Sequence, residues 1–229
     1  MTAVIGVVVF PGSNCEHDVV EAFEALGATG RLLWHAERSF AGVDAVVLPG
    51  GFAHGDYLRP GALARFSPIM NAVETFAHDG GAVVGICNGF QVLTEARLLP
   101  GALQKNRGLT FLCQNAEIEI VSDRSVLTSG VAPGSRLTIP INHFEGNYIC
   151  DKNTLAELEA QGRVIARYVD NPNGSVGSIA GIANAVGNVV GLMPHPERAV
   201  NELWGSGDGR RLFGSLITSA TAIAAAAGS

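Results

Sequence analysis

Ala82-Val83-Val84-Gly85-Ile86-Cys87-Asn88-Gly89-Phe90-Gln91 sets an apolar run directly against a run with helical character, with no connector between them. Residues 82–86 contain no polar side chain, as expected of a strand covered on both faces in a parallel sheet. The pattern that follows predicts a helix over 88–97. A strand that becomes a helix at one residue, with glycine two positions before and two after, is the form of a nucleophile elbow. Such a turn crowds its neighbours, and Gly85 and Gly89 remove side chains where packing is tightest. The elbow would present Cys87 at the carboxyl end of its strand, where open α/β sheets bind ligands. The unpaired amides at the helix start favour a thiolate there. The Asn88 amide, in the same turn, can stabilise an oxyanion.

The chain around the elbow repeats this alternation. Strands are predicted over 4–10, 31–34 and 43–48, and helices over 16–26 and 63–78, with short glycine-rich connections. In the second half, strands are predicted over 116–121, 136–141, 164–169, 176–182 and 189–193. Only 154–160 and 209–224 read as helix there, and 171–174 and 184–187 read as hairpin turns. The expected architecture is α/β. It is a doubly wound, mostly parallel sheet with helices on both faces and an antiparallel extension in the second half. With no internal repeat or low-complexity linker, one domain is expected over 1–229, its tail from about 219 helical or frayed.

Composition narrows the function. Of 229 residues, 47% are hydrophobic and 16% charged, and the formal net charge is −6. Such a chain is neither disordered nor equipped with the basic excess of nucleic-acid binders. Glycine, 29 residues, has no three-residue period, which excludes collagen. The four cysteines, at 15, 87, 113 and 150, form no C-x-x-C pair, and free thiols in a reducing compartment are the default. The apolar start lacks a basic region, and no stretch reaches about 18 apolar residues, so a cytoplasmic protein without membrane contact is expected. There is no phosphate-binding G-x-x-x-x-G-K-[ST] loop and no metal-ligand spacing.

A cysteine nucleophile needs a base. Of the six histidines, His17, His35 and His78 fall near polar element ends and read as solvated. His195 follows the strand ending at Met193 and lies between Pro194 and Pro196, which stiffen the loop. Glu197 is two positions on, where an extended segment would place it on the same side as His195 and so let it orient the imidazole as third member of a triad. Pro49-Gly50-Gly51 also ends a strand, and the Gly51 amide is a candidate second oxyanion donor. Cys15 imitates an activated thiol, since it follows a strand and opens a helix. It lacks the elbow glycine, and no second histidine–glutamate pair is available to it. Cys113 and Cys150 read as buried small hydrophobes.

The elbow, the Gly50-Gly51 loop and Pro194-His195-Pro196-Glu197 together resemble the triad-type (class I) glutamine amidotransferases. Phe10-Pro11-Gly12-Ser13-Asn14-Cys15, the run from Gly50 through Gly55-Asp56-Tyr57-Leu58-Arg59, Leu99-Pro100-Gly101-Ala102-Leu103 and the segment 191–198 extend the likeness over residues 5 to about 215. Within that class they resemble the glutaminase subunits that serve phosphoribosylformylglycinamidine synthase in purine biosynthesis. The resemblance implies that Cys87 attacks the glutamine side-chain amide, that His195 moves the proton, and that Glu197 supports it. Gly51 and Asn88 match its oxyanion positions and Gln91 a position near bound glutamine. Ammonia would pass to a large ATP-dependent synthetase subunit, which uses ATP and Mg, with a small third subunit completing the complex. No cofactor is expected in this chain. Ala53-His54 and Gly207-Asp208 depart from the family pattern outside the triad. Asn142-His143-Phe144-Glu145-Gly146 matches an H-x-E-G segment that could serve the site, a partner or only the fold.

Two rival readings are a peptidase or stress-response hydrolase on the same scaffold, which commonly places histidine directly after the nucleophile where this chain has Asn88, and a scaffold subunit with a vestigial elbow.

Overall fold

The computed structural model describes residues 2–227. Its first half contains β1 (Val4–Val9), α1 (Glu16–Ala25), β2 (Thr29–Trp34), β3 (Ala45–Leu48), α2 (Pro68–His78), β4 (Ala82–Ile86) and α3 (Asn88–Glu95). The second half adds β5 (Ala102–Gln104), β6 (Leu112–Ile120), β7 (Arg136–His143), β8 (Asn147–Ile149), α4 (Lys152–Ala160), β9 (Val164–Tyr168), β10 (Ile179–Ala183), β11 (Val189–Leu192) and α5 (Gly209–Ala227).

Nine strands form one sheet in the order β2-β1-β3-β4-β11-β10-β9-β6-β7. Pairing is parallel from β2 through β11 and antiparallel from β11 to β7. The sequence explains the division. β3, β4 and β11 are apolar or glycine throughout and buried at every position, as central parallel strands are. Arg136–His143 instead alternates, with Leu137, Ile139, Ile141 and His143 buried, the period-2 pattern of a strand with one covered face. Pro140 is tolerated because β7 is an edge strand.

Helices cover both faces. Phe23 of α1 stacks on Phe213 of α5, ring centroids 4.3 Å apart. α3 lies over Gly85 and Gly191, which are register partners in β4 and β11. A Cβ on Gly191 would stand 2.0 Å from the Phe90 ring, so the helix sits directly on backbone.

The structure departs from expectation at definable points. The helix expected over 63–78 is broken: Ala64–Phe66 makes a 3₁₀ turn, Ser67 is extended (φ −61°, ψ 138°), and α2 starts at Pro68. Proline disfavours helical backbone in the residue before it and suits the first helical position. The strand expected from 176 begins only at Ile179, because Val176–Ser178 turns with Gly177 at φ 56°. β5 and β8 pair as a separate two-stranded ladder, and neither has a pattern long enough to stand out in sequence. Cys113 is exposed and Cys150 half-buried rather than core. Near Cys113, β6 is paired only with β7, since β9 reaches no further than Ile118, and Cys150 lies at the rim beside the helix-capping Asp151. The predicted tail falls within α5, and residues 228–229 lie outside the described residues. Among the described residues, no helix is long and apolar enough to cross a membrane.

Candidate active site

The carboxyl ends of β1, β3, β4 and β11 converge, and each delivers a segment singled out in sequence. Cys87 closes β4 with φ 50° and ψ −104°, a conformation that L residues avoid and that persists only where surroundings impose it. Its amide donates to the Leu192 carbonyl at 2.8 Å. The flanking glycines are dictated by contact: a Cβ on Gly89 would meet the Leu48 carbonyl oxygen at 2.0 Å, and one on Gly85 the Gly89 oxygen at 2.5 Å. Cys87 is 5% exposed, and its thiol donates to the Asn142 carbonyl at 3.7 Å.

His195 and Glu197 are both buried, and His195 Nδ1 lies 2.6 Å from Glu197 Oε1. The pairing is the expected one, but the route is not. Glu197 belongs to a 3₁₀ turn, Pro196–Ala199, in which Pro196 bends the chain back instead of extending it. Burial opposes charge on His195, yet the Glu197 carboxylate, with both Cys87 and Cys15, holds its pKa well above the ordinary histidine value. With Nδ1 donating to Glu197, Nε2 is the atom left for proton transfer. It is buried and makes no hydrogen bond within the chain.

Cys15 stands against this same pair. The ligating atoms of Cys15, His195 and Glu197 lie within 4.8 Å of one another, and Arg198 Nη2 donates to the Cys15 sulfur at 3.2 Å. No second histidine–glutamate pair serves Cys15, but the one pair faces two sulfurs, a sharing the sequence did not suggest. Burial raises the Cys15 thiol pKa, partly offset by His195. These three residues also make the one candidate metal-ligating group among the described residues, which sequence spacing conceals. His195 Nδ1 and Glu197 Oε1 are committed to each other within it.

Gly51 adopts φ 141°, where a Cβ would come 2.8 Å from the Asn14 amide nitrogen. Asn88 opens α3, so its amide is one of those that lack an intrahelical acceptor. Its side chain secures the neighbouring loop: Oδ1 accepts from the Ala53 amide at 3.0 Å, and Nδ2 donates to Asp56 Oδ1 at 3.1 Å and to Gln91 Oε1 at 2.8 Å. Gln91 Nε2 donates in turn to the Glu145 carbonyl at 2.6 Å. Sequence reading missed Asp56 as a site residue. Burial lifts its carboxyl pKa to about 6, and its place beside Gly55 in a glycine-rich loop was the available signal. His17 and His78 are exposed as expected. His35 is not fully solvated: it lies edge-on to the rings of Trp34 and His54.

Cys87, His195, Gly51, Gln91, His143 and Glu145 border a shared cavity of about 40 Å³, room for a few waters at most. A much larger groove of about 560 Å³ lies behind Glu197 and Arg198 against Pro140 and Trp204, but Cys87 does not line it. The smaller cavity is the one that Cys87 and His195 both border.

The profile of the CobB/CobQ-like glutamine amidotransferase domain family matches residues 2–208. Phosphoribosylformylglycinamidine synthase subunit PurQ of Rubrobacter xylanophilus is 55% identical, the match covering 94% of this chain and 98% of that one. The subunit of the same description from Salinibacter ruber is 50% identical over 98% of this chain and all of its own. In the structure of PurLQS from Thermotoga maritima, a chain 39% identical superposes with a TM-score of 0.88, covering 95% of this chain and 99% of that one.

Proposed function

The chain belongs to the CobB/CobQ-like glutamine amidotransferase family, and we propose that Cys87, His195 and Glu197 are its catalytic triad. Its function is that of the glutaminase subunit of phosphoribosylformylglycinamidine synthase, in de novo purine biosynthesis. The observation that carries the triad assignment is the convergence of a strained elbow cysteine with a buried histidine–glutamate pair 2.6 Å apart on one cavity.

In this reading, Cys87 Sγ attacks the side-chain carbonyl carbon of glutamine. His195 Nε2 takes the thiol proton and gives it to the departing nitrogen, so the C–N bond breaks and ammonia leaves a γ-glutamyl thioester. Water, deprotonated by His195, then cleaves the thioester to glutamate and restores the thiol. Glu197 holds the imidazole in the required tautomer and stabilises its charged form. The amides of Gly51 and Asn88 receive the oxyanion, and Gln91 borders bound glutamine. The reaction requires no metal or organic cofactor in this chain. As the family resemblance implies, ammonia passes to a synthetase subunit that uses ATP and Mg, and a small third subunit completes the complex; a chain similar to this one is part of the PurLQS assembly solved from Thermotoga maritima. The site serves one domain, residues 1–229, working in the cytoplasm.

A glutamine analogue bearing an alkylating group in place of the amide is the direct test. It should modify Cys87 and spare Cys15, whose sulfur is engaged by Arg198 and Asn14. Peptide mapping that found the label on Cys15 would transfer the nucleophile to the start of α1. The small cavity also bears on regulation. A space of about 40 Å³ does not admit glutamine, whereas ligand pockets are commonly about 300–1,000 Å³. The isolated chain should therefore turn glutamine over at least about tenfold more slowly than the assembled complex, consistent with gating by closure. Equal rates, measured as glutamate formed with and without partner, would show that assembly does not open the site.

A further inference from the structure

His143 borders the cavity with Cys87 and His195 and has no part in the triad. Its tautomer follows from Asn106, which is buried. Asn106 Nδ2 donates to the carbonyls of Thr110 at 2.9 Å and His143 at 3.0 Å, and Oδ1 accepts the Gly146 amide at 3.1 Å. Rotating the amide by half a turn would set donor against donor and acceptor against acceptor, so three backbone groups fix its orientation. The His143 Nδ1, 3.1 Å from Asn106 Oδ1, therefore faces an acceptor and carries the proton. Nε2 is left as a bare lone pair. It is buried and has no hydrogen bond within the chain. The ring is also pinned, since a Cβ on Gly146 would lie 2.2 Å from it. Burial, with the neighbouring His195, lowers the His143 pKa to about 4, so the lone pair stays unprotonated at neutral pH.

We propose that His143 Nε2 accepts an N–H of the glutamine carboxamide, orienting the leaving nitrogen and distinguishing glutamine from glutamate. The assignment rests on the glutaminase reading of the site. A carboxamide brings two N–H donors to this lone pair. A carboxylate brings none and sets an anionic oxygen against it. Sites that place a fixed hydrogen-bonding group opposite a substrate N–H reject analogues lacking it far more strongly than apolar pockets do. The same contact disfavours retention of glutamate once the thioester is hydrolysed.

The experiment compares two substrates in the complex of the full chain with its synthetase subunit: glutamine and the γ-methyl ester of glutamate, whose leaving group has no N–H. His143→Phe should lower kcat/KM for glutamine by about 30-fold, change ester hydrolysis by less than about 3-fold, and strengthen inhibition by glutamate by about tenfold. His143→Gln, which retains an acceptor, should restore part of the glutamine-to-ester ratio. Equal losses on both substrates in both variants, with glutamate inhibition unchanged, would reduce His143 to a structural role and overturn the assignment. A wild-type complex that hydrolyses neither substrate would instead remove the glutaminase reading, and this assignment with it.

Discussion

Cys87→Ala is expected to abolish glutamine-dependent synthesis by the assembled complex while leaving ammonia-dependent synthesis essentially unchanged. The loss should be about 10⁴-fold or more, because removing the nucleophile of a triad leaves only binding and oxyanion stabilisation to act. Folding should be almost unaffected. Alanine keeps the Cβ that cysteine already carries at φ 50°, so backbone strain is the same in both, and only a sulfur weakly bonded to the Asn142 carbonyl is lost. The partner's chemistry needs ammonia but not its source. Parallel assays with glutamine and with ammonium salt, on a complex shown to be intact, separate the two activities. Persistent glutamine-dependent synthesis would exclude Cys87 and direct attention to Cys15, the other thiol facing His195.

What the sequence makes legible here is local and continuous. An unbroken apolar run predicts a strand over 82–86, and β4 spans Ala82–Ile86; Gly85 and Gly89 mark the elbow that follows it. Spacing also brings His195 to Glu197, though by a 3₁₀ turn rather than an extended segment. What escapes the sequence depends on side chains meeting across the fold. Cys15 lies 180 positions before His195 in the chain, and no spacing rule links the start of α1 to the loop after β11. Asn106 is a lone asparagine between short elements, yet held by the backbone groups of Thr110, His143 and Gly146 it sets the tautomer of His143. β5 and β8, three residues each, are too short to carry a period. The break before α2 was readable at Ser67-Pro68, but the apolar pattern across 63–78 overrides it until proline's missing N–H is considered.

Gly89→Ala is expected to destabilise the chain by about 4 kcal/mol or more, in the exceptional range for a single substitution, and to remove glutaminase activity with it. The added Cβ would stand 2.0 Å from the Leu48 carbonyl oxygen and 2.7 Å from its carbon. Both are backbone atoms at the end of β3, so no side-chain rotation relieves the overlap. Either α3 moves away from β3, which shifts the turn carrying Cys87 and the Asn88 amide, or the end of β3 moves, which carries Gly50 and Gly51 with it. Each displacement spoils the oxyanion geometry. Gly214→Ala supplies the contrast, because that glycine lies within α5 and a Cβ there meets nothing within 4 Å. It should raise stability by about 0.5–1 kcal/mol through helix propensity and leave activity intact. Denaturant midpoints at constant slope measure both changes. If Gly89→Ala costs no more than a typical surface substitution, the close approach of α3 to β3 does not hold Cys87 in place, and the elbow's strained backbone must be maintained by other contacts. If the expected order holds, the glycine at 89 is required by a single backbone-to-backbone contact, and the position of the nucleophile depends on how closely a helix can approach its neighbouring strand.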